Sequence, residues 1–377
     1  MSEAPPILQF GTSRFLLAHA DLFVSEALDA GKALGKIAIV QTTGNAQSAA
    51  RIAALGNPDG YPVRIRGLKN GVAVDEERRG MAVAFGLSAN QNWQTVREIA
   101  SVAKVIISNT GDKGYELDSD DGAELADDFT QVPKSFPAKL CLLLLERWKL
   151  HPESEISIFP CELIPRNGDR LMDIIRGLAD SWQLPAGFTF YLTEKCRFAN
   201  SLVDRIVSEP IEPVGAVAEP YAIWAVENQA GLTLPCVHPH LVLTDDLDHY
   251  ESLKLYLLNL GHSYLAERWL VDARAKDETV REAMADSDLR ADLEAVWHEE
   301  VLPLFAASGL GIEAKTYVDD VRERFLNPYL AHRLADIAGN HDEKKRRRIA
   351  PVIAWAEKLG LNLPQTRLRA AMATIMQ

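Results

Sequence analysis

The chain has 377 residues, 47 % of them apolar and 25 % charged, which is ordinary globular usage with room for two domains of about 150–200 residues. Lys and Arg number 40 against 53 Asp and Glu, and the net charge of −13 disfavours a nucleic-acid backbone or an anionic membrane as partner. The basic run Lys344-Lys345-Arg346-Arg347-Arg348 is too local to reverse that balance. Four cysteines cannot make a disulfide framework and suit a reducing compartment. The start, Met1-Ser2-Glu3-Ala4-Pro5-Pro6, shows no basic n-region or apolar h-region, and runs such as Leu140–Leu145 are too short to span a bilayer. A soluble, cytoplasmic protein is expected.

Ile7-Leu8-Gln9-Phe10 reads as a buried strand that ends at Gly11, and a helix is expected from about Phe15 to Ala30. Lys36–Val40 is a second strand, Asn45–Leu55 a helix, Lys104–Ser108 a strand, Leu140–Trp148 a helix and Ile156–Pro160 a strand. Apolar strands separated by helices predict an α/β, Rossmann-like, doubly wound parallel sheet. After the last strand signal, Phe188-Thr189-Phe190-Tyr191-Leu192, the pattern turns helical. The segments 251–271, 278–302, 317–324, 331–338 and 344–359 predict a mainly α-helical second domain. The expected division is residues 1–197 for dinucleotide binding and 198–377 for catalysis and substrate.

The loop Gly11-Thr12-Ser13-Arg14-Phe15 follows the first strand, where backbone N–H groups can approach a pyrophosphate. It has one glycine where the usual fingerprint has three, so the pattern alone is equally that of a plain strand–helix turn. The second strand runs into Gln41-Thr42-Thr43-Gly44-Asn45, without the acid that binds the ribose hydroxyls of NAD or an arginine for a 2′-phosphate. Residues alone leave the cofactor open.

The most informative segment is Lys254-Leu255-Tyr256-Leu257-Leu258-Asn259-Leu260-Gly261-His262. At about 100° per residue Asn259 lies about 140° from Lys254, with His262 between them, so three polar groups share one arc of an apolar helix. Burial beside leucines lowers the pKa of a lysine and suits it to general-base chemistry near neutrality. Asn259 and His262 are placed to bond oxygen at a reacting carbon. The plainer alternative is a snorkelling lysine beside a core histidine.

The spacing Lys-x4-Asn-x2-His resembles the signature of the long-chain, metal-independent polyol dehydrogenases, the mannitol dehydrogenase family. Similar stretches recur in the same order at residues 10–15, 108–110, 161–168 (Cys-Glu-Leu-Ile-Pro-Arg-Asn-Gly), 200–206 (Asn-Ser-Leu-Val-Asp-Arg-Ile) and 324–328 (Arg-Phe-Leu-Asn-Pro). Residues 59–68, 244–247 and the Cys-Glu-Leu-Ile start look most like the hexonate branch, that of the tagaturonate (altronate) and fructuronate reductases. The cofactor loop departs from the family in lacking the second glycine and in having Leu17 where many members carry arginine.

The resemblance implies an NAD-dependent oxidoreductase, NADP not excluded, that interconverts a keto-sugar acid and its aldonate, with a polyol as the alternative substrate. It implies Lys254 as general acid/base with Asn259 and His262 at the alkoxide. Gly11, Thr12, Ser13, Arg14, Phe15, Thr42, Asn109 and Thr110 fall at the cofactor, and Glu162, Asn167, Asn200, Asp204, Arg205 and Lys344 at the substrate. Asn200, Arg205 and Lys344 are the candidates for its carboxylate, and Asp204 for a hydroxyl or the domain junction. The substrate is expected in a cleft between the domains, and no oligomeric state is implied.

Two rival classes remain at this point. Cys236-Val237-His238-Pro239-His240 has zinc-ligand types, although a strand entry before Leu241 explains it more simply, and Trp297-His298-Glu299-Glu300 lacks the second histidine of a metalloprotease helix. A non-catalytic nucleotide-binding protein on the same fold is the other, and the polar triad argues against it.

Overall fold

The computed structural model describes residues 4–42, 46–111 and 113–374. Among the described residues thirteen strands follow in chain order. They are β1 (Ile7–Phe10), β2 (Ile37–Gln41), β3 (Tyr61–Lys69), β4 (Val72–Gly80), β5 (Val83–Ser88), β6 (Val105–Ser108), β7 (Ile156–Pro160), β8 (Cys196–Phe198), β9 (Ser201–Asp204), β10 (Val207–Pro210), β11 (Ala216–Ala218), β12 (Ile223–Glu227) and β13 (Leu241–Thr244). No helix among the described residues is long and apolar enough to cross a membrane.

The chain divides into two compact units. The first comprises residues 1–65, 76–218 and 222–247, the second 66–75, 219–221 and 248–377. In the first, six strands pair in the order β5-β2-β1-β6-β7-β8, every pair parallel. The strand order reverses at β1, which pairs with β2 on one side and β6 on the other, so the carboxyl ends of these three strands form the crevice where doubly wound sheets take ligands. β1, β2, β6 and β7 are buried throughout, as continuous apolar strands covered on both faces must be. The helix Phe136–Leu150 covers one face with Leu140, Leu142, Leu143, Leu144 and Leu145 and starts at Ser135, whose hydroxyl accepts the N–H of Ala138.

Three sequence expectations need correction. The helix expected over residues 15–30 is two helices, Arg14–Leu17 and Ala20–Asp29, separated by a turn at Ala18 and His19. Residues 188–192 lie within a helix, Ala186–Glu194, whose apolar residues pack on Trp148 and the sheet's core. The division expected after 197 differs from the compact units, in which residues 198–218 and 222–247 lie with the first and carry the sheet β13-β12-β9 and the strands β10 and β11 that pair beside β3. The β3–β4 hairpin was not expected at all. Its two-residue turn is Asn70-Gly71, both at positive φ (54° and 73°), the geometry and sequence of a type I′ turn.

The second unit is helical around a core that includes Leu257, Leu265, Trp297, Phe305, Val318 and Val352. Two helices in it each contain one turn wound with i→i+5 bonds, at Lys254–Asn259 and Val296–Val301. The Arg-Phe-Leu-Asn-Pro stretch ends the helix Gly311–Phe325. Its Arg324 is buried with Glu219, 2.9 Å from Nη2 to Oε1, and its guanidinium covers the ring of Tyr221 at 4.4 Å. Asn327 donates to the carbonyl of Arg66 and accepts the N–H of Tyr329.

Both side chains of the Arg324–Glu219 pair are 2 % exposed, so removing one partner strands a charge in the interior. Arg324→Ala is expected to lose about 3–5 kcal/mol in denaturant unfolding, and a loss below 1 kcal/mol would show that the pair contributes little.

Candidate functional site

In the first unit the site candidates gather at the carboxyl ends of β1, β6 and β7. Gly11 ends β1 at φ +110°, and a Cβ built there would lie 2.3 Å from the carbonyl oxygen of Asn109. Only glycine lets the loops after β1 and β6 come this close, and the bare backbone leaves a cradle of the kind a pyrophosphate occupies. Ser13 caps the short helix by accepting the N–H of Leu16 (3.3 Å), and its hydroxyl donates to Asn109 Oδ1 (3.4 Å). Asn109 in turn donates to the carbonyl of Cys161 (2.7 Å). Thr12 is half-buried, Arg14 exposed, and Phe15 stacks on His19 with ring centroids 4.8 Å apart. Thr42 is half-buried at the end of β2; Thr43, Gly44 and Asn45 lie outside the described residues.

Glu162 is buried under the β6 loop. Its carboxylate accepts the N–H and hydroxyl of Thr110 (3.0 and 2.9 Å) and the hydroxyl of Ser108 (3.0 Å), with Tyr115 at 3.4 Å. Burial nevertheless holds its pKa above the usual carboxylate range. Asn167 has a similar framework part. Its amide donates to the carbonyls of Pro160, Glu162 and Ser201 and accepts the N–H of Ser201. Asn200 is fully buried, donates to Glu227 (2.7 Å) and accepts the N–H of Asp169. These three side chains fix the loops around the crevice, and their hydrogen-bonding groups are engaged by the protein. Arg205 is buried with Nη1 on the carbonyl of Ala18 (2.6 Å), and Asp204 is buried beside it in the chain.

Sequence reading missed the polar pair beneath the Gly11 loop. The Gln9 amide donates both to the Gly11 carbonyl (3.3 Å) and to Asp21 Oδ2 (3.2 Å). Asp21 is wholly buried, its Oδ1 meets no donor among the described residues, and burial raises its pKa from 3.8 to about 7. An acid inside an otherwise apolar helix, Ala20–Asp29, is the signal that marks it.

In the second unit Lys254 and Asn259 are half-buried and His262 is buried, all within the segment that runs from Leu247 to Val271. The α-helical phase of 140° between Lys254 and Asn259 does not apply, because Lys254–Asn259 is the π-wound turn, in which the Leu260 N–H reaches back to the Leu255 carbonyl. Such a turn inserts one residue into the helix and sets everything after it back by about 100°. Asn259 then lies about 40° from Lys254, and His262 about 20° to its other side. On that winding the three residues share one side of the helix. Single π-turns concentrate at functional sites.

The neighbours of this line fix its rings. His262 stacks on Phe325 (4.4 Å between centroids, 28°) and meets His332 edge-on (4.8 Å, 69°). Burial lowers the pKa of His332. Gly261 admits Trp297 and Phe325 to the helix, for a Cβ there would lie 2.9 and 3.2 Å from their rings. Lys344 is half-buried and donates to the Ile337 carbonyl (2.7 Å).

The zinc-type residues are engaged otherwise. His238 bonds Glu26 (2.8 Å) and stacks on Phe23 (4.4 Å), and Cys236 bridges to Ala33 as the chain enters β13. Among the described residues no cluster of His, Cys, Asp and Glu is arranged to hold a metal ion.

Profiles of known families match both parts of the chain, the mannitol dehydrogenase Rossmann domain at residues 5–235 and the mannitol dehydrogenase C-terminal domain at residues 246–377. Among curated relatives, altronate oxidoreductase of Bacillus subtilis is 31 % identical over 384 residues, covering 95 % of this chain and 76 % of the relative. The Klebsiella pneumoniae altronate oxidoreductase is 30 % identical, covering 98 % and 79 %. Among solved structures, a D-sorbitol dehydrogenase in substrate-free form has a TM-score of 0.82 at 20 % identity, covering 98 % of this chain and 79 % of its own. Pseudomonas fluorescens mannitol 2-dehydrogenase, in ternary complex with NAD and D-mannitol, has a TM-score of 0.72 at 19 % identity, covering 99 % and 79 %. At these identities the structural likeness establishes the fold.

Two outcomes are expected from the first unit. Gly11→Ala meets the Asn109 carbonyl at a forbidden φ, and should lose about 1–3 kcal/mol of stability and weaken NADH binding about tenfold or more in a fluorescence titration; unchanged affinity would remove this loop from the cofactor site. Asp21 has a folded pKa of about 7 against 3.8 unfolded. Between these values only the folded state holds the proton, so stability is full below about pH 4 and falls as pH rises towards 7. Asp21→Asn should abolish that slope, about 4 kcal/mol across the window, and an unaltered pH–stability curve would contradict the assignment.

Proposed function

The chain belongs to the mannitol dehydrogenase family, and from that premise we propose that it interconverts a keto-sugar acid and its aldonate, of the tagaturonate and altronate type, with Lys254 as general acid/base. It is an NAD-dependent oxidoreductase acting on CH–OH groups of sugar acids or polyols. The Gly11 cradle at the reversal of strand order fits the dinucleotide, with Ser13, Asn109 and Thr110 shaping its walls. The observation that supports the mechanism is the π-wound turn over Lys254–Asn259, whose phase favours one side of the helix for Lys254, Asn259 and His262.

NAD supplies the acceptor of the hydride and, when reduced, its donor. In oxidation, the Lys254 amine takes the proton of the reacting hydroxyl while hydride leaves the same carbon. The Asn259 amide donates a hydrogen bond to the oxygen as negative charge develops there, and His262, held by Phe325 and His332, steadies it from the same line. In reduction the Lys254 ammonium returns the proton to the ketone oxygen. The proton chemistry is thus assigned to a side chain and needs no metal ion.

The names of the altronate oxidoreductase relatives favour an acid substrate. Lys344, in the same unit as Lys254, is the first candidate for its carboxylate, with Arg205 the second. A polyol or ketose substrate is the second reading, favoured by the titles of the sorbitol and mannitol dehydrogenase structures. A small molecule as partner and a cytoplasmic location complete the proposal.

The test is NADH oxidation in the presence of EDTA with tagaturonate, fructuronate and fructose, by wild type and Lys254→Ala. Turnover of a keto-acid is expected, and the variant should lose at least about 100-fold in kcat with NADH affinity little changed. Turnover of fructose alone would sink the acid assignment, and near-normal turnover by the variant would remove Lys254 from the chemistry.

A further inference from the structure

A π-turn is a costly way to wind a helix, because it breaks the i→i+4 ladder and persists only where neighbours hold it. Two side chains from other helices of the same unit bond the main chain of the Lys254 turn. The Trp297 indole, itself within the second π-turn, donates to the Leu257 carbonyl at 3.2 Å. The Arg348 guanidinium donates through one nitrogen, Nη1, to the Asn259 carbonyl (3.3 Å) and to the Ser263 hydroxyl (3.0 Å).

The second contact falls where the π-turn ends and α-helix resumes. Asn259 is the last π-wound residue, and Ser263 lies one α-turn further on, directly after His262. Ser263 is fully buried and Arg348 is half-buried, so this bond is shielded from competing water. Arg348 ends the helix His341–Arg348, the one that carries Lys344. The basic run 344–348 therefore turns residues inward: Arg346 and Arg347 are exposed, whereas Lys345 is buried on Glu267 and Arg348 reaches the helix of the triad.

We propose that Arg348 is a positioning residue for the reaction, clamping the Asn259 carbonyl and the Ser263 hydroxyl so that the π-turn keeps Asn259 and His262 in line with Lys254. The clamp touches no reacting atom and acts through the phase of the helix. A relaxation of the turn to α winding rotates Asn259 and His262 by about 100° away from the line. The inference rests on the assignment of Lys254, Asn259 and His262 to catalysis.

The experiment measures the single-turnover rate of NADH oxidation at saturating concentrations of the ketone that wild type reduces fastest. Arg348→Met is expected to slow this step by about 10–100-fold, the scale of an ångström-level misplacement. Its NADH affinity and substrate KM should stay within about threefold of wild type. Arg348→Lys, whose ammonium can bond both acceptors from one nitrogen, should recover most of the rate, and Ser263→Ala should lose a few-fold. A rate per folded molecule that Arg348→Met leaves unchanged, whatever happens to its Tm, would overturn the proposal, as would a loss that Arg348→Lys does not recover. If Arg348→Met does not fold, Ser263→Ala decides alone, and an unchanged rate there has the same force. Lys254→Ala is run beside them: retained turnover in that variant sinks the catalytic assignment, whereas its loss with intact Arg348 and Ser263 variants sinks only the clamp.

Discussion

One extra residue in one helical turn organises the second unit. With i→i+4 bonds throughout, Lys254 and Asn259 would point about 140° apart and could not bond the same small group. The i→i+5 turn over Lys254–Asn259 sets Asn259 and His262 back onto the side of Lys254. Its consequences spread outward. Gly261 must be small because Trp297 and Phe325 press on the helix there, and Phe325 in turn stacks on His262. The Arg-Phe-Leu-Asn-Pro stretch is then intelligible as a unit: Phe325 supports the histidine, while Arg324 and Asn327 anchor the helix end through Glu219 and Arg66.

The first unit solves a different problem, bringing the loops after β1 and β6 close together with a single glycine. Gly11 provides the approach to Asn109, and the cost of holding the β6 loop against it is met by a buried carboxylate, Glu162, which ties Ser108 and Thr110 in place. Gln9 couples the Gly11 carbonyl to Asp21, a buried acid whose raised pKa means that its neutral form belongs to the native state at mildly acid pH. The three-glycine fingerprint is one way of building such a loop; here Ser13 and Asn109 bond each other where further glycines would leave space.

Much of this was legible in the sequence, and the failures have physical causes. The strands at residues 7–10, 37–41, 105–108 and 156–160 announced themselves because a parallel sheet covered on both faces needs uninterrupted apolar runs. The helix Ala186–Glu194 deceived because Phe188, Tyr191 and Leu192 are apolar at a density that suits either period. Residues 198–247 were assigned to the second domain since short strands of a small sheet carry weak patterns. The spacing of Lys254, Asn259 and His262 suggested a triad, but no periodicity computed at 100° per residue can reveal the π-turn that runs from Lys254 to Asn259. Glu162, Asn167 and Asn200 are bonded within the fold, and spacing alone does not show those bonds because their partners come from distant stretches of the chain.

The central claim is that the Lys254 side chain moves the proton, and chemical rescue tests it most directly. Small primary amines added to Lys254→Ala should restore hydride transfer, with rates that rise with the fraction of amine in the required protonation state and follow the basicity of the amine. An absence of rescue by every amine small enough to enter, with NADH still bound, would contradict the account and leave Lys254 as a structural charge.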